Sequence, residues 1–229
     1  MPAIALLGDR GTQVSHRELD AIIPRLESEL QVRVQWVPTD SGADLGSYDG
    51  LWLAPGAPYA SDAAVFAAIR WAREAKLPFL AACGGMQYAV IEYTRNVLGR
   101  AASHQEFDGA RDDNVISALA CSIYGEQRLV VPVPGTRFAS IAPTPFLGMH
   151  FCSYAPTARI VERLEDSGVV VGATATDAGA EVLEFPDHTF FFTTMFQPQI
   201  GAGTGEPIHP LIAAFARAVR EQREHSPNV

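Results

Sequence analysis

The sequence predicts an α/β domain with a mostly parallel central sheet and flanking helices. Three observations carry that prediction. Short apolar runs closed by Gly, Pro or Asp alternate with stretches of helical period through the first part of the chain. The first of those runs is continuous, as strands buried on both faces are, while "VRVQWV" alternates. The chain has 229 residues, 48% of them apolar, which suits one large domain, residues 1–229, with a substantial core. In such a sheet ligands sit beyond the carboxyl ends of the strands, which here means Gly8 to Gly11, Ala54 to Tyr59, and Cys83.

"AIALLG", Ala3 to Gly8, is the first strand. A helix follows, with Ser15 and Glu18 at the spacing of a capping box and Leu19, Ile22, Ile23, Leu26 and Leu30 on one face, where Pro24 is expected to bend or shorten it. "VRVQWV", Val32 to Val37, is the second strand, and "YDGLWLAPG" the third. Asp62 to Ala75 then reads as a helix with Val65, Phe66, Ile69 and Ala72 inward, before the fourth strand, "LPFLAAC". A helix from Gly84 to Leu98 turns Met86, Val90, Tyr93 and Val97 to one side. The second half is richer in strands: "RLVVPVP", "VVVGATAT", "AEVLEF" and "TFFFTTMF" are separated by turn residues. A last helix carries Ile208, Leu211, Ile212, Phe215 and Val219, and "REHSPNV" is expected to fray.

A net charge of −9 leaves no basic surface for nucleic acid or for an anionic membrane. The start has no signal-peptide pattern, and no apolar stretch reaches the roughly 18 residues of a membrane span, so a cytoplasmic protein is expected. Cys83, Cys121 and Cys152 are too widely spaced for a metal site or a disulfide framework and are expected to be reduced thiols. No cofactor or metal is called for, and "GDRG" lacks the ending of a phosphate loop.

Cys83 lies between an apolar strand and the helix that opens at Gly84. A thiol there sits at the positive end of a helix dipole beside unpaired N–H groups, the setting of a nucleophile elbow with a lowered thiol pKa. Cys121 and Cys152 have no such setting and read as packing.

"PFLAACGGMQYAVIEYTRNVLGRAASHQEFD", Pro78 to Asp108, resembles the glutaminase segment of CTP synthases, and the likeness continues through "RLVVPVPGT", "YAPTARIVERLEDSGVVVGATATDAGAEVLEFPDHTFFF" and "HPLIAAFARAV". The resemblance implies a class I glutamine amidotransferase domain of flavodoxin-like architecture. In that family a cysteine attacks the glutamine amide, a His–Glu pair activates it, backbone amides hold the tetrahedral intermediate, and ammonia passes to a synthetase. Because residue 1 opens directly on the first strand, the synthetase is expected to be a separate partner, or the chain a homo-oligomer.

Carried over residue by residue, the nucleophile is Cys83, with Gly84 and Gln87 beside it, and Glu106 matches the carboxylate that contacts the glutamine amino group. The chain departs from the family elsewhere. Gln197 and Gln199, in "FQPQ", stand where the family has its His and Glu, and a Gln amide accepts no proton at neutral pH. Ser153, before Tyr154, replaces an Arg that helps to hold the substrate carboxylate. The oxyanion-side loop is Pro55-Gly56-Ala57 in place of Pro-Gly-Gly, and Ala81 replaces the first glycine of the elbow.

Three readings stay open. Ordinary glutamine hydrolysis supplying ammonia lacks its base. A Cys83-dependent amidohydrolase or transferase acting on another amide or amino-acid-like ligand would use a different base, for which His150 is the candidate and His104 and His209 are weaker ones. A binding or scaffold domain would keep the pocket without catalysis.

Overall fold

A computed structural model describes residues 1–225. The chain runs β1 (Ala3–Leu7), α1 (Val14–Leu30), β2 (Arg33–Val37), β3 (Gly50–Leu53), α2 (Asp62–Glu74), β4 (Phe79–Ala82) and α3 (Gly84–Asn96). It continues through β5 (Ser103–His104), α4 (Gln105–Asp108), β6 (Asn114–Ala118), β7 (Glu126–Pro132), α5 (Arg137–Ile141), β8 (Phe146–His150) and β9 (Tyr154–Pro156). The remaining elements are α6 (Ala158–Asp166), β10 (Val170–Ala175), β11 (Gly179–Glu184), β12 (Phe191–Thr194) and α7 (Pro210–His225). These fall into two compact units, one of Met1–Ala81, Asp187–Phe191 and the chain from Pro198, the other of Ala82–Pro186 and Phe192–Gln197.

In the first unit the strands stand in the order β2-β1-β3-β4, all parallel, with Leu6 opposite both Trp36 and Trp52. β1, β3 and β4 are buried along their whole length, which is why they read as unbroken apolar runs. Trp52 meets the edge of Phe215 on α7, and Phe79 stacks on Phe191 with centroids 4.3 Å apart. Each such aromatic side chain taken out of water contributes about 1.5–3 kcal/mol. Gly50 lets α7 approach β3, because a Cβ there would lie 2.4 Å from Val219 Cγ2.

Two expectations for α1 are corrected. Pro24 lies inside a helix that runs on to Leu30, so the proline does not shorten it. Ser15 and Glu18 form no capping box: the helix starts at Val14, Gln13 precedes it without a side-chain cap, and the Glu18 carboxylate instead accepts the Gly203 N–H at 2.7 Å. α2 does have a side-chain cap, Ser61 Oγ accepting from Ala64 N, and an acidic first turn from Asp62.

The second unit has an antiparallel set of strands in the order β12-β11-β10-β7-β8 and a smaller sheet β5-β6-β9, in which β5 and β6 are parallel and β6 and β9 antiparallel. Together the units give an α/β fold with mixed strand directions. Phe138, Phe146 and Phe196 form the aromatic centre of this unit, and Glu184, itself buried, accepts the N–H groups of Arg137 and Phe138 at the start of α5. α3 ends at Asn96, short of the predicted Leu98, so Val97 faces solvent rather than the core. Ile208 precedes α7 instead of lying on it. Of the expected frayed end, Arg223 to His225 continue α7 and residues 226–229 lie outside the described residues. Among the described residues no helix is long and apolar enough to cross a membrane.

Candidate active site

β4 ends where α3 begins, and Cys83 is the single residue that makes the turn. Its φ of 54° and ψ of −117° put a non-glycine residue in strained backbone, a cost on the order of 1–3 kcal/mol. Two sets of hydrogen bonds hold it there: Cys83 N–H donates to Thr194 O at 2.7 Å, and Cys83 O accepts the N–H groups of Met86 and Gln87 at 3.0 and 3.3 Å. The turn leaves the sulfur within reach of the Gly84 N–H at the start of α3.

The surroundings of that sulfur are polar although the residue is only 8% exposed. Cys152 donates a hydrogen bond to it, and so do the Gly84 N–H and the Gln197 side chain. These bonds, led by that of Cys152 and helped by the field of His150, hold the Cys83 thiol below its ordinary pKa against the opposing effect of burial. In its protonated form the thiol points at Phe151 O, 3.9 Å away. Cys152 moves the other way: keeping its proton on the bond to Cys83, and being buried, it is raised well above the usual thiol range. Packing alone was expected of Cys152, so this contact is a correction. His150 and Cys152 are two residues apart at the end of β8, and the alternation in "HFC" was the available signal.

His150 is fully buried, not a solvated or surface histidine. Its Nε2 donates to the Glu181 carboxylate at 2.9 Å, and Glu181, on β11, is equally buried. Nδ1 is buried and, among the described residues, has no hydrogen-bond partner. Glu181 had not been singled out by the sequence.

His104 is also buried. Its Nε2 donates to Gln87 Oε1 at 3.0 Å, and its Nδ1 accepts the Glu106 N–H at 3.2 Å, which fixes the tautomer. Gln87 Nε2 donates in turn to Tyr154 O at 2.8 Å. Both ends of the Gln87 side chain are thus engaged, and Gln87, His104 and the Tyr154 backbone form one chain of contacts. Glu106 stands on α4 with its carboxyl pushed up by partial burial. Ser153 Oγ shares a hydrogen bond with Ser122 Oγ at 2.8 Å, a neutral pair at the position where the resemblance would put an Arg. Among the described residues, no three or more His, Cys, Asp or Glu side chains cluster as metal ligands would.

Cys83, Gly84, Gln87, Glu106, His150, Ser153, Tyr154 and Gln197 all belong to the second unit. Gly56, Ala57 and Gln199 belong to the first. There Gly56 has φ 149°, and the preceding Pro55 O accepts a 2.7 Å hydrogen bond from His16 Nε2, whose Nδ1 accepts the Gly11 N–H. Gln199 is buried, and its carbonyl accepts the Ala202 N–H. His209 precedes α7, half-buried, with its ring pKa lowered to about 4 by burial.

The model of the family described as Glutamine amidotransferase class-I matches residues 9–128. CTP synthase of Trichormus variabilis is 34% identical over 179 residues, which is 71% of this chain and 32% of that protein. CTP synthase of Methanoculleus marisnigri is 31% identical over 210 residues, 86% of this chain and 39% of that protein. The chain thus spans well under half the length of these curated relatives. Among solved structures, the glutaminase domain of Trypanosoma brucei CTPS with bound acivicin has a TM-score of 0.80 at 22% identity, covering 96% of this chain and 94% of that one. A glutamine amidotransferase from Thermotoga maritima has a TM-score of 0.63 at 12% identity, covering 98% and 99%. Fold and sequence agree: this chain belongs to the class-I glutamine amidotransferase family, of the CTP synthase type.

Proposed function

We propose that this chain is a Cys83-dependent amidohydrolase or transferase whose substrate is an amide other than glutamine. The observation that carries the proposal is the bonding of the Cys83 sulfur, which receives hydrogen bonds from Cys152, Gly84 and Gln197 on a strained turn. A thiol whose pKa its surroundings lower ionises more readily and relies less on a general base to attack a carbonyl. Sulfur adds to the amide carbon, the C–N bond breaks as nitrogen takes a proton from water, and a second water hydrolyses the thioester. His150 acts on this chemistry through its field, since its Nε2 is spent on Glu181.

Three features favour a substrate other than glutamine. Gln197 and Gln199, both buried, stand in place of the family's His and Glu. The neutral Ser122–Ser153 pair offers no counter-charge to an amino-acid carboxylate. The Gln197 amide, which acts on the Cys83 sulfur, suits a neutral or zwitterionic amide that presents both donors and acceptors. The relatives named CTP synthase extend far beyond the matched stretch, which favours a synthetase as partner.

The experiment is a panel of primary and secondary amides, glutamine included, assayed for amine or ammonia release by wild type and by Cys83→Ser. We expect turnover of at least one non-glutamine amide that is lost in the variant, with glutamine inert or very slow. Glutamine turnover in the ordinary range of roughly 1–10³ per second would overturn the substrate reading. No Cys83-dependent turnover, together with a Cys83 that alkylates no faster than a free thiol, would leave a binding domain.

A further inference from the structure

The chain carries 26 acidic residues against 17 Lys and Arg, yet three of its arginines, Arg100, Arg159 and Arg163, line one cavity of about 320 Å³ in the second unit. Among the described residues, none of these guanidiniums has a carboxylate within ion-pair distance or a hydrogen-bond partner, whereas Arg25, Arg70 and Arg128 are each paired with acidic side chains. Arg159 and Arg163 are four residues apart on α6 and so share a face, and Arg100 lines the cavity from the segment after α3. Like charges gathered in this way repel one another, and an anion between them removes that cost.

The walls of the cavity are fixed by backbone bonds. Arg100 N–H donates to Thr94 O at 3.1 Å, Thr157 N–H to Val115 O at 2.9 Å, and Ser103 N–H to Asp113 O at 2.9 Å. Most of the other polar side chains are spent on the same frame. Thr157 Oγ1 caps α6 by accepting the Ile160 N–H at 3.3 Å, and Asn114 donates to Ser103 Oγ at 2.8 Å while accepting the Arg111 N–H at 2.7 Å. Asp113 Oδ1 accepts the Ser103 hydroxyl at 2.9 Å. The three guanidiniums and the Asp112 carboxylate are left for a ligand.

We propose that this cavity binds a small phosphate monoester. A monoester offers three terminal oxygens and about two negative charges, one acceptor for each guanidinium, where a carboxylate offers two oxygens and one charge. The amino end of α6, Thr157 to Ile160, borders the same space, and its dipole favours an anion. Asp112 accepts hydroxyl groups on the carbon part of the ester, and Val115 and Ile160 cover its C–H faces. The volume lies at the small end of ligand cavities, which suits a sugar-sized ester rather than a macromolecule. None of these residues belongs to the Cys83 cluster, so the binding is separate from the hydrolysis proposed above.

The test is calorimetric titration of the full-length protein, in buffer free of phosphate and sulfate, with glucose 6-phosphate, ribose 5-phosphate, glycerol 3-phosphate, glucose and inorganic phosphate. At least one ester should bind saturably, one molecule per chain, with a Kd below about 1 mM, while glucose does not bind and inorganic phosphate binds at least about tenfold more weakly. Arg159→Ala and Arg163→Ala should each weaken that ester at least about tenfold, and Arg128→Ala, which removes a paired arginine outside the cavity, less than about twofold. In wild type the ester should slow hydrogen exchange in residues 100–101, 112–115 and 157–163, which locates the site even if a variant fails to fold. No saturable binding up to about 10 mM, inorganic phosphate as tight as the best ester, an equal loss in Arg128→Ala, or protection confined to other segments would overturn the proposal. A phosphoserine peptide binding about tenfold more tightly than every free ester would overturn it too, and give the cavity to a protein partner.

Discussion

Two clusters of polar groups lie near the carboxyl ends of strands, one in each unit, and they spend their hydrogen bonds on different partners. In the first, Asp9 accepts from Thr39 N, Thr39 Oγ1 and Ala60 N, and His16 joins the Gly11 N–H to Pro55 O. Most of these partners are backbone, so the titratable groups are fasteners that hold the loops after β1, β2 and β3. In the second, Cys83 meets Cys152 and Gln197, His150 meets Glu181, and His104 meets Gln87. There the partners are mainly side chains, which can exchange protons without unfolding a loop. The difference teaches that burial and a shifted pKa do not by themselves mark a reactive group, and that the identity of the hydrogen-bonding partner separates the two cases.

The largest effect should come from Cys83→Ser. A serine hydroxyl at this turn is not ionised by the same hydrogen bonds, so amide turnover should fall at least ~10³-fold while the urea midpoint stays near that of wild type. Asp9→Ala is the matching change in the other cluster and should lower stability with turnover kept within about threefold. Equal losses of turnover in the two variants would break the distinction between fasteners and reactive groups.

Next in size is Glu181→Ala. It leaves His150 fully buried with neither ring nitrogen bonded to a protein partner, and removing one member of a buried pair costs about 3–5 kcal/mol. Glu181→Gln keeps an acceptor for Nε2 and should lose well under half as much. Urea unfolding of both variants measures this, and a loss of no more than ~0.5 kcal/mol in the alanine variant would mean that the pair contributes like a surface contact.

The two units were also unequally legible in the sequence. β1, β3 and β4 are apolar runs buried on both faces, so their composition alone announces parallel strands, and Val65, Ile69 and Ala72 mark the buried side of α2. Cys83 was legible for a related reason, since a strand running into Cys-Gly-Gly and a helical period leaves little choice of backbone. In the second unit β8 reads "FLGMH", where Gly148 is inward because a Cβ would strike Phe196, while Leu147 faces out with 61% exposure. That pattern inverts the usual alternation, and β8 escaped prediction, as did the short strands β5, β6 and β9. Partners such as Cys152 and Glu181 were hidden because hydrogen bonds between strands distant in sequence leave no local pattern. The capping box failed for the opposite reason: its spacing was present, but Glu18 had a better donor in the Gly203 N–H, far along the chain.

A smaller effect tests the fasteners by pH. Burial pushes the Asp9 carboxyl up, but the N–H groups of Ala60 and Thr39 and the Thr39 hydroxyl outweigh it, and the net pKa is lowered. A carboxylate with a lowered folded pKa adds stability above its unfolded value, ~3.9, and loses it as pH falls through the folded value. Asp9→Ala should therefore cost about 1–3 kcal/mol at pH 7 and progressively less in acid. A cost independent of pH from 7 down to acid unfolding would show that the carboxylate charge is not what holds the loop.

The finest test is at His209, which belongs to the first unit and follows its rule. It stands immediately before α7, its Nδ1 accepts the Leu211 N–H at 3.1 Å, and its carbonyl accepts from Ile212 and Ala213. The ring is thus a helix N-cap, a role that requires an unprotonated Nδ1. Burial lowers its pKa to about 4, and the cap contact favours the same neutral form. The unfolded chain, with an ordinary histidine near 6.5, binds more protons than the folded chain between that pH and about 4. Stability should fall as pH drops through this window and change no further from this residue below it, with a total of about 3 kcal/mol at ~1.4 kcal/mol per pKa unit. Asn is among the best N-caps and does not titrate, so His209→Asn should match wild type at pH 7.5, within about 0.5 kcal/mol, and flatten the fall between pH 6.5 and 4. Urea midpoints across that range compare the two proteins. Parallel curves would mean that His209 takes up its proton alike in the folded and unfolded chains, and a backbone-satisfied histidine could then no longer be taken as held neutral in the first unit.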